Sequence, residues 1–213
     1  MSRARLAAWS LLALALAVAF WSGRPHGAIA AEPVDWRREP VQEPTERKPF
    51  RIETRHGFVR VTPRASYDVA ARVEGSERYW FDATAFLSPV DLVLTWGELP
   101  EARWRDALDY SQSWRFYFWR TEDLELDASY VIQHSANTHM IPASADVRRA
   151  LLAIGRGDEV RLRGLLVDVH GDRLVWKTST VRTDHGDHGC EILWVESVQI
   201  GRRLYLAPPP PTG

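Results

Sequence analysis

Gly157-Asp158-Glu159-Val160-Arg161-Leu162-Arg163-Gly164-Leu165-Leu166-Val167-Asp168-Val169 decides the fold class. Val160, Leu162, Gly164 and Leu166 share one parity, and Arg161 and Arg163 the other. A period of two marks a half-buried strand, and the Gly-Asp pair before it marks the turn that feeds it. From Leu165 both parities turn apolar, so the strand enters a closed or covered region. His170-Gly171-Asp172 then turns the chain into Leu174-Val175-Trp176, and Ile192, Trp194 and Val198 with Leu193 and Val195 form another two-faced strand. Short strands with few helical periods predict a mainly β domain with minor α content. The expected form is a small antiparallel barrel, OB-like as the nearest architecture, with one or two short helices.

Upstream, Phe50-Arg51-Ile52 and Phe58-Val59-Arg60-Val61 flank His56-Gly57 and read as a hairpin. Tyr67 to Val73, Asp91 to Trp96 and the aromatic run Trp114 to Trp119 read as strands. Pro100 opens one candidate helix, with Trp104, Ala107 and Leu108 on a common face. Ser144 caps a second, in which Val147, Ala150, Leu151 and Ile154 follow the i, i+3, i+4, i+7 pattern before Gly155. Pro33, Pro40, Pro44 and Pro49 break residues 31–49 into an extended leader, in which Trp36 is available to dock on the domain. Residues 207–213 form a Pro-rich tail. A single β-rich domain over residues 50–206 is the expected organisation.

Arg3 and Arg5 precede an apolar run from Leu6 to Trp21, and Ala28-Ile29-Ala30 supplies small residues for cleavage. The run exceeds a secretory h-region of about 7–15 residues. It falls short of the about 20 that a membrane span uses. Residues 1–30 therefore read as a signal peptide or a signal anchor. Either way the rest is translocated, to the periplasm or to the periplasmic face of the inner membrane. The chain touches membrane only through that segment. Loss of residues 1–30 removes Arg3, Arg5 and Arg24 and no acid, leaving a mildly acidic domain that has no charge reason to hold nucleic acid. One cysteine in 213 residues excludes an internal disulfide framework.

The densest polar stretch runs from Thr178 to Glu191. His185, His188 and Cys190 offer imidazole and thiolate to zinc, with Asp184 and Asp187 beside them and His139 or His134 as a fourth ligand. The spacing matches no familiar closed zinc site, so no cofactor is expected and zinc is the one candidate. Cys190 has two further readings. It shares parity with Ile192 and Trp194, which suits a small thiol facing a core, and it is a candidate nucleophile with His139 as base. Asp187-His188-Gly189-Cys190 resembles the Ser-His-Gly-Cys core of the L,D-transpeptidases, with His170-Gly171 upstream. Asp stands in place of Ser, and Glu191-Ile192 stands where that family carries Arg. His134-Ser135-Ala136-Asn137-Thr138-His139 reads as an ordered polar loop. Of the ten Trp, those at 80, 96, 104, 119, 176 and 194 lie in apolar-patterned stretches, and most of them are assigned to the core.

Asn137-Thr138-His139, Gly157 to Gly164, Thr178 to Gly186, Gly189-Cys190-Glu191 and the leader Pro40 to Thr45 together resemble a group of uncharacterised exported proteins of Gram-negative bacteria. That resemblance implies envelope location and no chemistry. It groups Asn137, His139, Arg182, Asp184, Cys190 and Glu191 as one polar cluster, in which Arg182 pairs with the loop carboxylates. The sequence thus favours a non-catalytic structural or binding module for an envelope partner or small ligand. The alternatives are a transpeptidase- or hydrolase-like enzyme using Cys190 and His139, and a zinc protein using His185, His188 and Cys190.

Overall fold

A computed structural model describes Trp9, residues 27–181 and residues 190–208. Its strands are β1 (Ile29–Ala30), β2 (Val41–Glu43), β3 (Phe50–Thr54), β4 (Gly57–Arg78), β5 (Val90–Thr95), β6 (Leu108–Ser113), β7 (Phe116–Thr121), β8 (Ser135–Pro142), β9 (Glu159–Gly171), β10 (Leu174–Trp176), β11 (Glu191–Ile200) and β12 (Arg203–Leu206). Three short helices, α1 (Ala102–Ala107), α2 (Ala128–Gln133) and α3 (Ala145–Ala153), lie between them. The protein is mainly β, as the alternation requires.

β4 organises the sheet. Its 22 residues pair antiparallel with β3 and β2 and, further along, with β9 and β5. A strand this long has to bend. The pairing of β4 shifts register between Pro63 and Ala65 against β9, and between Val73 and Gly75 against β5. Each shift is a bulge, which kinks and twists the strand. Beyond β5 the hydrogen-bonded order continues through β8 to β11, and β11 also pairs with β9. Val69, Val73, Leu92, Leu94, Met140, Leu162, Leu166 and Leu193 meet in the main apolar cluster, against which α3 packs Val147, Ala150 and Leu151.

Two expectations are corrected. The sheet is mixed, not purely antiparallel: β8 and β11 run parallel from Thr138 opposite Glu191 to Pro142 opposite Val195. A parallel neighbour needs a long crossover, and α3, β9 and β10 supply it. Helices number three among the described residues, not one or two. The extra one, α2, is capped by the Asp127 side chain but has six residues, too few to show a 3.6 period. The helix after Ser144 stands as expected, with the serine oxygen accepting from the Val147 N–H.

The aromatic run is also divided differently. Trp114 and Arg115 form the two-residue turn of the β6–β7 hairpin, with Ser113 opposite Phe116. Both turn residues have positive φ, 54° and 69°, the conformation of the type I′ turn. Of the six tryptophans in apolar-patterned stretches, Trp96 is buried. Trp80 is exposed, because β4 ends at Arg78 and leaves it in the connection to β5. The leader lies along the domain: β2 pairs with β4, Val34 is buried, and the Trp36 indole N–H donates to Glu159 at 3.2 Å. Among the described residues no helix is long and apolar enough to cross a membrane. The Leu6–Trp21 run, apart from Trp9, lies outside them.

β9 and β11 lie close together at Gly164. A Cβ built there would stand 1.8 Å from the Trp194 carbonyl oxygen, beside the register shift between Val195 and Ser197. The obstacle is backbone, so it cannot swing aside. Gly164→Ala is expected to lower stability by about 3 kcal/mol, the upper end for overpacking, whereas Gly155→Ala, with open space around it, stays within about 1 kcal/mol. Urea unfolding of the two variants checks this, and equal midpoints would refute the close approach.

Candidate functional site

Alternation along β5 sends Val90, Leu92 and Leu94 into the main core. Asp91, Val93 and Thr95 therefore face the other way. On β8 the same rule puts Ser135, Asn137 and His139 on that outer face, and Asp91 stands in register with His139. The β6–β7 hairpin covers this face and matches it polar group for polar group. The Tyr117 hydroxyl lies 3.1 Å from Ser135 Oγ. The Gln112 amide donates to Asn137 Oδ1, and the Asn137 amide donates to the Arg115 carbonyl, each at 2.9 Å. The segment that read as a polar loop is thus a buried strand whose side chains anchor a hairpin.

Asp91 is fully buried. The Arg115 guanidinium donates to its Oδ1 at 2.8 Å. On the other oxygen, His139 Nδ1 lies 2.8 Å from Oδ2. That second contact is close but off the axis of an aligned N–H···O bond. Arg115 also grips Asp82 through both carboxylate oxygens and donates to the Ser88 carbonyl, and its guanidinium stacks 3.8 Å from the centre of the Tyr79 ring. Burial works against the charge of Asp82, but the bonds from Arg115 and Thr84 outweigh it and hold its pKa below the usual carboxylate range. Burial, the Asp91 charge and a hydrogen bond to Glu77 push the Tyr79 phenol far up, so it stays protonated.

A cavity of about 240 Å³ opens beside this network. His139 and Cys190 both line it, together with Arg115, Phe116, Trp176 and Lys177. The Trp176 ring lies 4.7 Å from the His139 ring, centre to centre. Cys190 is held by its neighbours in the fold: its carbonyl accepts from the Ser179 N–H at 3.0 Å, and the Ile192 N–H donates to the Thr178 hydroxyl at 2.9 Å. Its side chain is half-buried at the cavity, so the reading of a core thiol is corrected.

Of the expected cluster, His139 and Cys190 line the cavity, and Asn137 lies on the same face of β8 under the hairpin. Glu191 is buried but in register with Thr138, while Ile192 is in register with His139. Arg182, Asp184, His185 and His188 lie outside the described residues. Among the described residues no three His, Cys, Asp or Glu side chains are grouped to hold a metal ion. The sequence reading missed Asp91, Arg115 and Trp176 as site residues. A detectable signal was the lone acid within Val90-Asp91-Leu92-Val93-Leu94, since a charge in an apolar strand has to find a partner. Nothing local marked Arg115. Comparison with protein-family models, with curated proteins and with solved structures gives no match.

Arg115 pairs with carboxylates of two segments, Asp82 and Asp91. Removing it leaves Asp91 buried without its guanidinium, and breaking such a pair costs about 3–5 kcal/mol. Arg115→Ala is expected to lose that much in thermal or urea unfolding. A loss under about 1 kcal/mol, the size of a solvated pair, would show that the network does not hold the hairpin.

Proposed function

We propose that this chain is an exported protein of the Gram-negative envelope, and that its domain is an OB-like barrel acting as a binding module through the His139–Cys190 cavity. The strand order supports the barrel. β4, β5, β8, β11 and β9 are hydrogen-bonded in a ring that returns to β4, with one parallel contact, β8–β11, and α3 between β8 and β9. The five-stranded OB barrel uses the face of its second and third strands, with the loops after its first and fourth, as its binding surface. β5 and β8 are those strands in the ring. The observation that carries the reading is the place of the cavity. His139 comes from β8, Arg115 from the hairpin over β5 and β8, and Trp176, Lys177 and Cys190 from the connection between β9 and β11.

Export rests on Arg3, Arg5 and the Leu6–Trp21 run. Ile29 and Ala30 pair with Leu204 and Arg203 of β12, a pairing available only if they are retained. With Phe116 and Trp176 as walls and Lys177 and His139 as polar groups, the cavity suits a small amphipathic ligand with an aromatic or apolar body and a negative or strongly accepting end.

Anilinonaphthalene sulfonate has that chemistry and tests the site. Saturable fluorescence enhancement by the native protein is expected, reduced at least about tenfold in affinity by Trp176→Ala, a loss of about 1.4 kcal/mol. Enhancement seen only under denaturing conditions, or unchanged in Trp176→Ala, would overturn the assignment of the cavity.

A further inference from the structure

We infer that Cys190 is a nucleophile that accepts an acyl group, with His139 as its proton acceptor and Asp91 as the positioning residue behind His139. The ligand of the cavity is then a small acyl compound, attacked at its carbonyl carbon. The inference rests on the cavity being the working site.

Three observations lead to it. Cys190, only half-buried, lines the cavity, and the same cavity is lined by a histidine whose side chain is only 4% exposed. A histidine that deeply enclosed and yet lining a cavity is placed to meet a ligand there. His139 Nδ1 stands 2.8 Å from Asp91 Oδ2, so the carboxylate favours the tautomer with the proton on Nδ1. Nε2 is left as the proton acceptor, and the second ring nitrogen fixes the role of the first. A nucleophile, a base and a group that orients the base are the three parts of covalent acyl transfer. The off-axis Asp91–His139 contact is of a kind that tightens when substrate arrives. Arg115 holds the other oxygen of Asp91, which fixes the carboxylate that positions His139. Lys177 also lines the cavity and offers it a cation, the kind of charge that favours a developing oxyanion.

The chain has one cysteine, so a disulfide cycle within the molecule has no second sulfur, whereas acyl transfer to water needs none. His139 Nε2 takes the Cys190 proton as Sγ attacks the carbonyl carbon, and the S–C bond forms. The bond from that carbon to its leaving group breaks, and the leaving group departs with the proton from His139. Water then loses a proton to Nε2 and attacks the thioester. The C–O bond forms, the C–S bond breaks, and the sulfur regains its proton. The net reaction is hydrolysis of an ester, thioester or activated amide to acid and leaving group.

p-Nitrophenyl acetate is the probe, and acetylation of Cys190, read by intact mass and peptide mapping, is the readout. At neutral pH the native thiol is expected to acetylate at least about tenfold faster than the same thiol in unfolded chain in urea, with release of nitrophenolate. His139→Gln is expected to slow acetylation by about 10²–10⁴-fold, the range for a general base. Asp91→Asn is expected to slow it and to change the pH profile of acetylation, which a purely structural loss would not do. A native rate equal to or below the unfolded rate overturns the inference without needing any variant to fold. So does a His139→Gln protein that acetylates at the native rate. If the dye binds as expected while the thiol stays inert, the binding reading stands and the nucleophile does not. If the thiol acetylates rapidly but the dye fails, it is the amphipathic-ligand reading that falls.

Discussion

Asp91 is a carboxylate with no access to water, set in the middle of an apolar strand. Taking a carboxylate out of water costs several kcal/mol even after the protein relaxes around it. The rest of the site follows from how that cost is offset. Arg115 approaches one oxygen and His139 the other. Arg115 can reach it only from the tip of the β6–β7 hairpin, so the hairpin has to lie across β5 and β8. The two turn residues, Trp114 and Arg115, adopt positive φ without a glycine, a conformation that costs of order 1–3 kcal/mol each. The ion pair, the Asn137 bond to the Arg115 carbonyl and the bidentate grip on Asp82 hold that strain in place.

The sheet strands supply the frame, and their connections supply the candidate chemistry. Bulges let β4 pair with β3, β2, β5 and β9 in turn, and the absence of a Cβ at Gly164 lets β9 lie against β11. Because β11 runs parallel to β8 from Glu191 opposite Thr138, Cys190, just before β11, arrives beside the stretch of β8 that carries His139. An antiparallel β11 would have brought the other end of that strand to His139. The parallel contact is therefore as much a determinant of the site as the side chains in it.

Much of the fold was legible in the sequence because burial imposes a period. β9, β10, β11, the β3–β4 hairpin and α3 follow from alternation, turn residues and a serine cap. Two failures have a common origin. The Trp114–Trp119 run reads as one strand because its aromatic residues are continuous, yet the chain reverses at Trp114-Arg115, where neither residue is a turn former. Ser135 to His139 reads as a loop because its side chains are polar, yet it is a central strand whose polar groups are satisfied by Gln112, Tyr117 and the Arg115 backbone. Polarity of a segment says that partners are needed and not whether water or another strand provides them. His139 and Cys190 could be chosen from the sequence as reactive types. Their orienting partner could not, since Asp91 stands 48 positions from His139 and its meaning lies in the β5–β8 register.

If one carboxylate joins the hairpin to the cavity, residues that meet only through it should depend on each other. Arg115 and His139 hold opposite oxygens of Asp91. The most direct measurement is a double-mutant cycle in urea unfolding with Arg115→Ala, His139→Gln and the pair. A coupling of about 0.5–3 kcal/mol is the expected result for residues sharing one network. Losses that add within about 0.3 kcal/mol, as they do for independent sites, would contradict the account and separate the hairpin from the candidate site.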